Sequence, residues 1–141
     1  MPISLIDQIE VSELSIISSD LGSVMHVLKK SDKSFSEFGE IYISTVNINN
    51  IKAWKQHKIM KMNLIVPVGK VKFVFYDIST NKFREETIGT DRYVRLTVPP
   101  KLWFGFKGLD NTQNLIINIS NIVHNPDEQL REDINSFKYN W

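Results

Sequence analysis

The octapeptide KVKFVFYD, Lys70 to Asp77, decides the fold. Alternation along a strand sends Val71, Phe73 and Phe75 to one face and Val74 and Tyr76 to the other. A strand that is apolar on both faces belongs inside a layered structure, with another layer packed on each side. A strand at a wet edge would alternate apolar with polar residues instead.

Working outward from this octapeptide, the same period of two recurs. VSELSII (11–17), SVMHVLKK (23–30), EIYISTVNI (40–48), NLIVPV (63–68), YVRLTV (93–98) and NLIINIS (114–120) are short runs rich in Val, Ile and Tyr. Turn-forming clusters separate them: SSDLGS, NINN, PVGK, STNK, GTDR, PPK and LDNTQ. Seven or more closely spaced strands with no long helix between them predict an all-β sandwich or barrel. Two segments read differently. SDKSFSEFGE (31–40) suits a short helical turn, and PDEQLRED (126–133) a small C-terminal helix opened by Pro126.

Composition narrows the class of function. The 141 residues suit a single domain spanning 1–141. A formal charge of +1 offers no electrostatic case for nucleic acid as a partner. The absence of cysteine excludes disulfides and thiolate metal sites and is compatible with a reducing cytoplasm, the expected location. The N-terminus, MPISLIDQIEVSEL, has early acids and no basic region before an apolar core, so no signal peptide is expected. The apolar runs are too short to span a bilayer as a helix.

Few residues remain to do chemistry. His26, His57 and His124 stand far apart, with no His-x-His pair, and Lys58 follows His57. Ammonium groups near a ligand set oppose a dication, so neither metal nor other cofactor is expected. No serine sits in a nucleophile-elbow pattern, and the single glycines of PVGK and KGLD make no phosphate-cradling loop. What is left is acid–base chemistry by His57, set among Lys52, Lys55, Lys58 and Lys61 in IKAWKQHKIMKMN (51–63). Imidazole titrates near neutrality and suits proton transfer. The plain alternative is a solvated loop histidine. Arg95 on VRLTV is a candidate for a bidentate grip on a diphosphate, or for a surface ion pair. Trp103 is a candidate for stacking on a sugar or base, or for core packing.

From about Ser19 to Glu128 the order of segments resembles the dTDP-4-dehydrorhamnose 3,5-epimerase family of sugar-nucleotide epimerases. SDLGSVMHVL sits where the family has its early acidic-Arg-Gly segment, and GEIYISTVNINNIKAWKQH is similar to the strands that end in its catalytic histidine. NLIVPVGKVKFVFYDIST is similar to its next hairpin, with Gly69 at the turn and Asp77 closing the strand. VRLTVPPKLWFGF is similar to its Ile-Pro-x-Gly-x-x-His-Gly-Phe segment, and NLIINISNIVHNPDE to the strand and turn that carry its catalytic tyrosine. A shorter branch of the family shares patterns that appear here as Trp54/His57, Pro67/Gly69 and His124/Pro126/Glu128.

The resemblance implies a cupin-type jelly roll of two antiparallel sheets, a homodimer, and a nucleotide-linked keto-sugar as substrate, within surface-polysaccharide or deoxysugar synthesis. It implies His57 as the base that takes a proton beside the 4-keto group. Departures are many: Leu21 and Trp54 replace arginines, Met62 falls where the family has a lysine, Phe73 replaces an aspartate, and Phe104 replaces a histidine. Asn118 stands in the place of the tyrosine acid. Tyr42, on a strand lining the same cavity, becomes the replacement acid, with Ser44 beside it on the same face. Lys55, Lys61 and Asn63 are the candidates for steadying an enolate. So many replacements also suit a noncatalytic sugar-nucleotide or carbohydrate-binding cupin; a metal-dependent cupin is disfavoured by the histidine spacing.

Overall fold

The computed structural model describes residues 3–141; Met1 and Pro2, which open the N-terminal stretch discussed above, lie outside them. Twelve strands fall into two five-stranded sheets and one hairpin. Sheet one runs, in spatial order, β1 (Glu10–Glu13), β9 (Val94–Val98), β6 (Met62–Val68), β11 (Leu115–Ser120) and β4 (Glu40–Thr45). Sheet two runs β12 (Gln129–Arg131), β5 (Ile51–His57), β10 (Trp103–Gly108), β7 (Lys70–Asp77) and β8 (Lys82–Gly89). The hairpin joins β2 (Ile16–Ser19) to β3 (Gly22–Met25). Every strand pair is antiparallel, and the architecture is the cupin jelly roll.

The two apolar faces of β7 meet different layers. Phe73 and Phe75, both 0% exposed, fill the space between the sheets with Leu64, Val66, Leu96 and Ile116. Val74 and Tyr76 face away from sheet one and join Trp54 and Trp103 in a second cluster. The chain's last residues cover that cluster: Phe137, Tyr139 and Trp141 pack on it, with Phe137 4.7 Å from the Tyr76 ring and Trp141 5.4 Å from Trp54. The C-terminal tail is therefore a third layer, and it accounts for the continuous apolar run of β7.

Turn chemistry sets the register at the β6–β7 connection. Gly69 has φ +91°, and a Cβ there would stand 2.1 Å from the Gln113 carbonyl, so glycine is required twice over. One helical expectation is met and one is corrected. SDKSFSEFGE forms a single turn, closed by the Phe35 N–H on the Asp32 carbonyl at 3.0 Å, and its backbone then crosses the outer face of sheet one, where the Ser34 carbonyl accepts from Asn63 and the Ser34 hydroxyl donates to Glu10. PDEQLRED makes only a 3₁₀ turn, Pro126–Glu128, before Gln129–Arg131 pair with the free edge of β5. Among the described residues no helix is long and apolar enough to cross a membrane.

Removing one inner aromatic should be costly. Phe73→Ala is expected to lower the unfolding free energy by about 3–5 kcal/mol, the usual range for a buried Phe→Ala change. Denaturant unfolding checks this, and a loss below about 1 kcal/mol, the size of an ordinary surface effect, would contradict the layered packing.

Candidate active site

Between the sheets lies a cavity of about 440 Å³ that opens to solvent. Strand alternation decides what enters it. From sheet one come Tyr42 and Ser44 on β4 and Asn118 on β11; from sheet two come Lys55 and His57 on β5 and Phe104 and Phe106 on β10. His57 and Tyr42 thus approach the cavity from opposite sheets.

His57 is the most constrained of these groups. It is 3% exposed, and its ring stacks on Phe104 at 5.8 Å between centroids with 20° between planes. Nδ1 makes a short hydrogen bond to Glu128 Oε1, so the two residues form a buried pair. Glu128, 4% exposed, is held in turn: its Oε2 accepts from the backbone N–H groups of Ile59 (3.2 Å) and Met60 (3.3 Å). Burial lowers the affinity of the imidazole for a second proton, and the Glu128 hydrogen bond and charge only partly restore it, so the ring is held below its ordinary value. Burial pushes the Glu128 carboxyl up, but the hydrogen bonds from His57, Ile59 and Met60 together outweigh it and hold the group below its ordinary range. The pair is a neutral imidazole against a carboxylate. Nδ1–H donates to Glu128, which leaves the lone pair on Nε2.

Across the cavity, Tyr42 is half-buried and its phenol is pushed up by burial, so it keeps its proton at neutral pH. The Asn118 amide donates to the Tyr42 oxygen at 3.0 Å, and the hydroxyl lies 3.5 Å from Met60 Sδ. Lys55 is half-buried, and its ammonium is held below the ordinary value by burial first and by the neighbouring Arg131 second.

The remaining candidates lie elsewhere, and strand parity is the reason for three of them. Asn63 sits between Met62 and Leu64, which face the core; its side chain turns outward to Thr97 (2.6 Å) and the Ser34 carbonyl (3.2 Å). Arg95, between core residues Val94 and Leu96, also points outward and bonds the Val27 carbonyl, with Asp32 at 3.5 Å. Trp103 faces the outer aromatic layer, 5.3 Å from Phe137. Lys61 does not line the cavity, whereas Met62 does. Glu128 falls in the His124/Pro126/Glu128 pattern, but nothing local gives it a role, and nothing local marks Lys52, Arg131 or Glu132 as cavity residues, although all three line it. Among the described residues no three His, Asp or Glu side chains converge to hold a metal.

A jelly roll whose inner cavity holds a carboxylate-backed histidine defines a cupin-type acid–base site. No protein-family model matches the sequence. The structure matches a dTDP sugar isomerase from Desulfovibrio desulfuricans G20 with a TM-score of 0.91 and 34% identity, over 96% of this chain and 91% of that one. The chain therefore belongs to the dTDP-sugar epimerase and isomerase family. Spore coat polysaccharide biosynthesis protein SpsL of Bacillus subtilis (strain 168) is 25% identical over 97% of both chains. The 3,5-epimerase RmlC from Legionella pneumophila Philadelphia 1, at 12% identity, shares the fold with a TM-score of 0.79 over 94% of this chain and 76% of that one.

The buried pair makes a signed prediction for stability. The imidazole is lowered from 6.5, so the unfolded chain takes up its proton first as pH falls, and stability declines from about pH 6.5 downward. Glu128, lowered from 4.5, adds a second decline below that value. In Glu128→Gln the carboxylate decline should vanish, while the imidazole decline should persist and extend to lower pH, because the charge that raised His57 is gone. Denaturant unfolding from pH 7 to 4 checks this; a variant that no longer loses stability between pH 6.5 and 5 would contradict the assignment.

Proposed function

We propose that this protein is a nucleotide-sugar epimerase or isomerase that moves a proton on the carbon beside the ketone of a nucleotide-linked 4-keto-6-deoxy sugar, with His57 as its base. The observation that carries this reading is the His57 imidazole backed by a buried carboxylate on the wall of the cavity between the sheets. A C–H bond next to a ketone is acidic because the electron pair left behind delocalises into the carbonyl as an enolate. His57 Nε2 takes the proton, and the imidazolium that forms is stabilised by Glu128. Lys55, two positions from His57 on the same strand face, supplies positive charge where the enolate develops.

Inversion requires the proton to return from the other side. Tyr42 belongs to the opposite sheet, and burial keeps its phenol protonated, which suits a donor to the far face of the sugar ring. Ser44 and Asn118, on the same wall, are placed for hydrogen bonds to sugar hydroxyls. Similarity to a spore coat polysaccharide biosynthesis protein supports a place in surface-polysaccharide synthesis. The cysteine-free sequence is compatible with a reducing cytoplasm, where we place the reaction.

The same reading includes a homodimer. The hairpin of β2 and β3 exposes Ile16, Ile17, Leu21 and Val24, and Ile41 and Ile43 are exposed on edge strand β4. A two-stranded ribbon with exposed apolar residues is marginal alone. A second copy across a twofold axis covers such surfaces reciprocally. Light scattering should give a dimer at micromolar concentration, shifted toward monomer by Val24→Asp; a wild-type monomer would refute the dimer.

Solvent deuterium wash-in to a dTDP-4-keto-6-deoxy sugar tests the reaction. His57→Ala should reduce exchange by about 10²- to 10⁴-fold, the usual contribution of a general base, without loss of fold. Tyr42→Phe should retain wash-in at the carbon facing His57 and lose the inverted product. Wash-in that survives in His57→Ala would assign the base to another group, and unaltered inversion in Tyr42→Phe would remove Tyr42 as the acid.

A further inference from the structure

Resting on the reading of the cavity as a nucleotide-sugar site, we propose that Lys52 and Arg131, on either side of Lys55, seat the substrate's diphosphate, and that a β-bulge at Trp54 creates this seat. Residues three apart on an unbroken strand face opposite sides. Here the register of β5 against β10 passes from Lys55–Phe104 to Ala53–Gly105 and Lys52–Phe106, leaving Trp54 as the extra residue. Ala53 and Trp54 consequently both face the outer layer: a Cβ on Gly105 would lie 2.6 Å from the Ala53 Cβ and 3.0 Å from Trp141. Lys52 and Lys55 both turn inward beside Phe106 and Phe104. Strand β12 adds the third cation, since Arg131 stands directly opposite Lys55.

These cations have no carboxylate partner. Among the described residues none of the three is ion-paired. Glu132, the carboxylate that lines the same mouth, accepts from the Ser136 hydroxyl. Like charges directly opposite on neighbouring strands destabilise a sheet, so the arrangement favours an anion between them. Lys52 spends one donor on the Thr45 carbonyl, at 2.8 Å, and keeps two. Exposure falls from Lys52 and Arg131 at the rim, through half-buried Lys55, to buried His57. A nucleotide sugar that enters ring first leaves its phosphates at the rim. Arginine grips a phosphate bidentately and lysine adds a point charge, a combination suited to two adjacent phosphates.

Calorimetric titration of dTDP, dTMP and thymidine tests the assignment. Wild type should bind dTDP more tightly than dTMP, and dTMP more tightly than thymidine. Lys52→Ala and Arg131→Ala should each weaken dTDP by about 10- to 100-fold, the worth of one charge-assisted hydrogen bond, and leave thymidine unchanged. Lys52→Arg should recover most of the loss. In the wash-in assay the two alanine variants should raise KM and keep kcat. The proposal fails if wild type binds dTDP no better than thymidine, if the variants bind dTDP as wild type does, or if dTDP and thymidine weaken together. Cation-dependent dTDP binding without proton exchange would overturn the proposed reaction and keep this site; exchange with indifference to Lys52 and Arg131 would do the reverse.

Discussion

One hydrogen bond, between the imidazole of His57 and the carboxylate of Glu128, joins the end of β5 to a turn 71 residues later in the chain. It is buried on both sides, so neither group has water to fall back on, and removing one partner would strand the other. The consequences extend in two directions. Inward, the bond fixes which imidazole nitrogen carries the lone pair. Outward, it pins Glu128 where β12 can pair with β5, and the chain beyond β12 then crosses the outer face of sheet two. The backbone pair of Trp54 with Glu132, at 3.0 and 3.1 Å, and the Trp54 indole on the Ile134 carbonyl continue that attachment. The cavity floor and the third layer share one anchor.

This arrangement also explains how a base can remain neutral in a basic stretch. Sequence proximity suggests that the lysines around His57 govern its protonation, yet Lys58 is exposed and points to the Asp127 carbonyl. Lys61 lies off the cavity. Desolvation is the larger influence, with Glu128 working against it. A carboxylate that raises a buried imidazole toward, but not past, its ordinary value makes a base that is both unprotonated at neutral pH and strong enough to act.

The fold was legible because its evidence is local. KVKFVFYD announces burial on two faces from eight adjacent residues, and the structure supplies both covering layers. The cavity was legible only in part. Tyr42, Ser44 and Asn118 lie on strands whose apolar alternation is regular, Lys55 and His57 on the strand that the family resemblance marks, and all five converge. Asn63 and Arg95 fall on expected strands but on the face away from the cavity, as the parity of Met62 and Leu64, or of Val94 and Leu96, shows; Trp103 opens β10, a strand outside the runs read from the sequence, and also faces away. The bulge at Trp54 breaks parity inside β5 and hid Lys52, because nothing local marks a residue that the pairing with β10 skips. Glu128 was beyond reach for a different reason: its role exists only once residues 57 and 128 meet in space. PDEQLRED carries the helical start signal of Pro126, but the free edge of β5 captures Gln129–Arg131, a tertiary pairing that overrides it.

The claim on which the mechanism stands is that the resting His57 is a neutral, Nδ1-protonated imidazole with Nε2 free. Nitrogen-15 NMR of histidine-labelled protein reads this directly, with His57→Gln identifying the signal. At pH 7 the spectrum should show an unprotonated Nε2 and a protonated Nδ1, with the ring accepting its second proton only below the ordinary 6.5. An imidazolium at pH 7, or a neutral ring with the proton on Nε2, would contradict that claim.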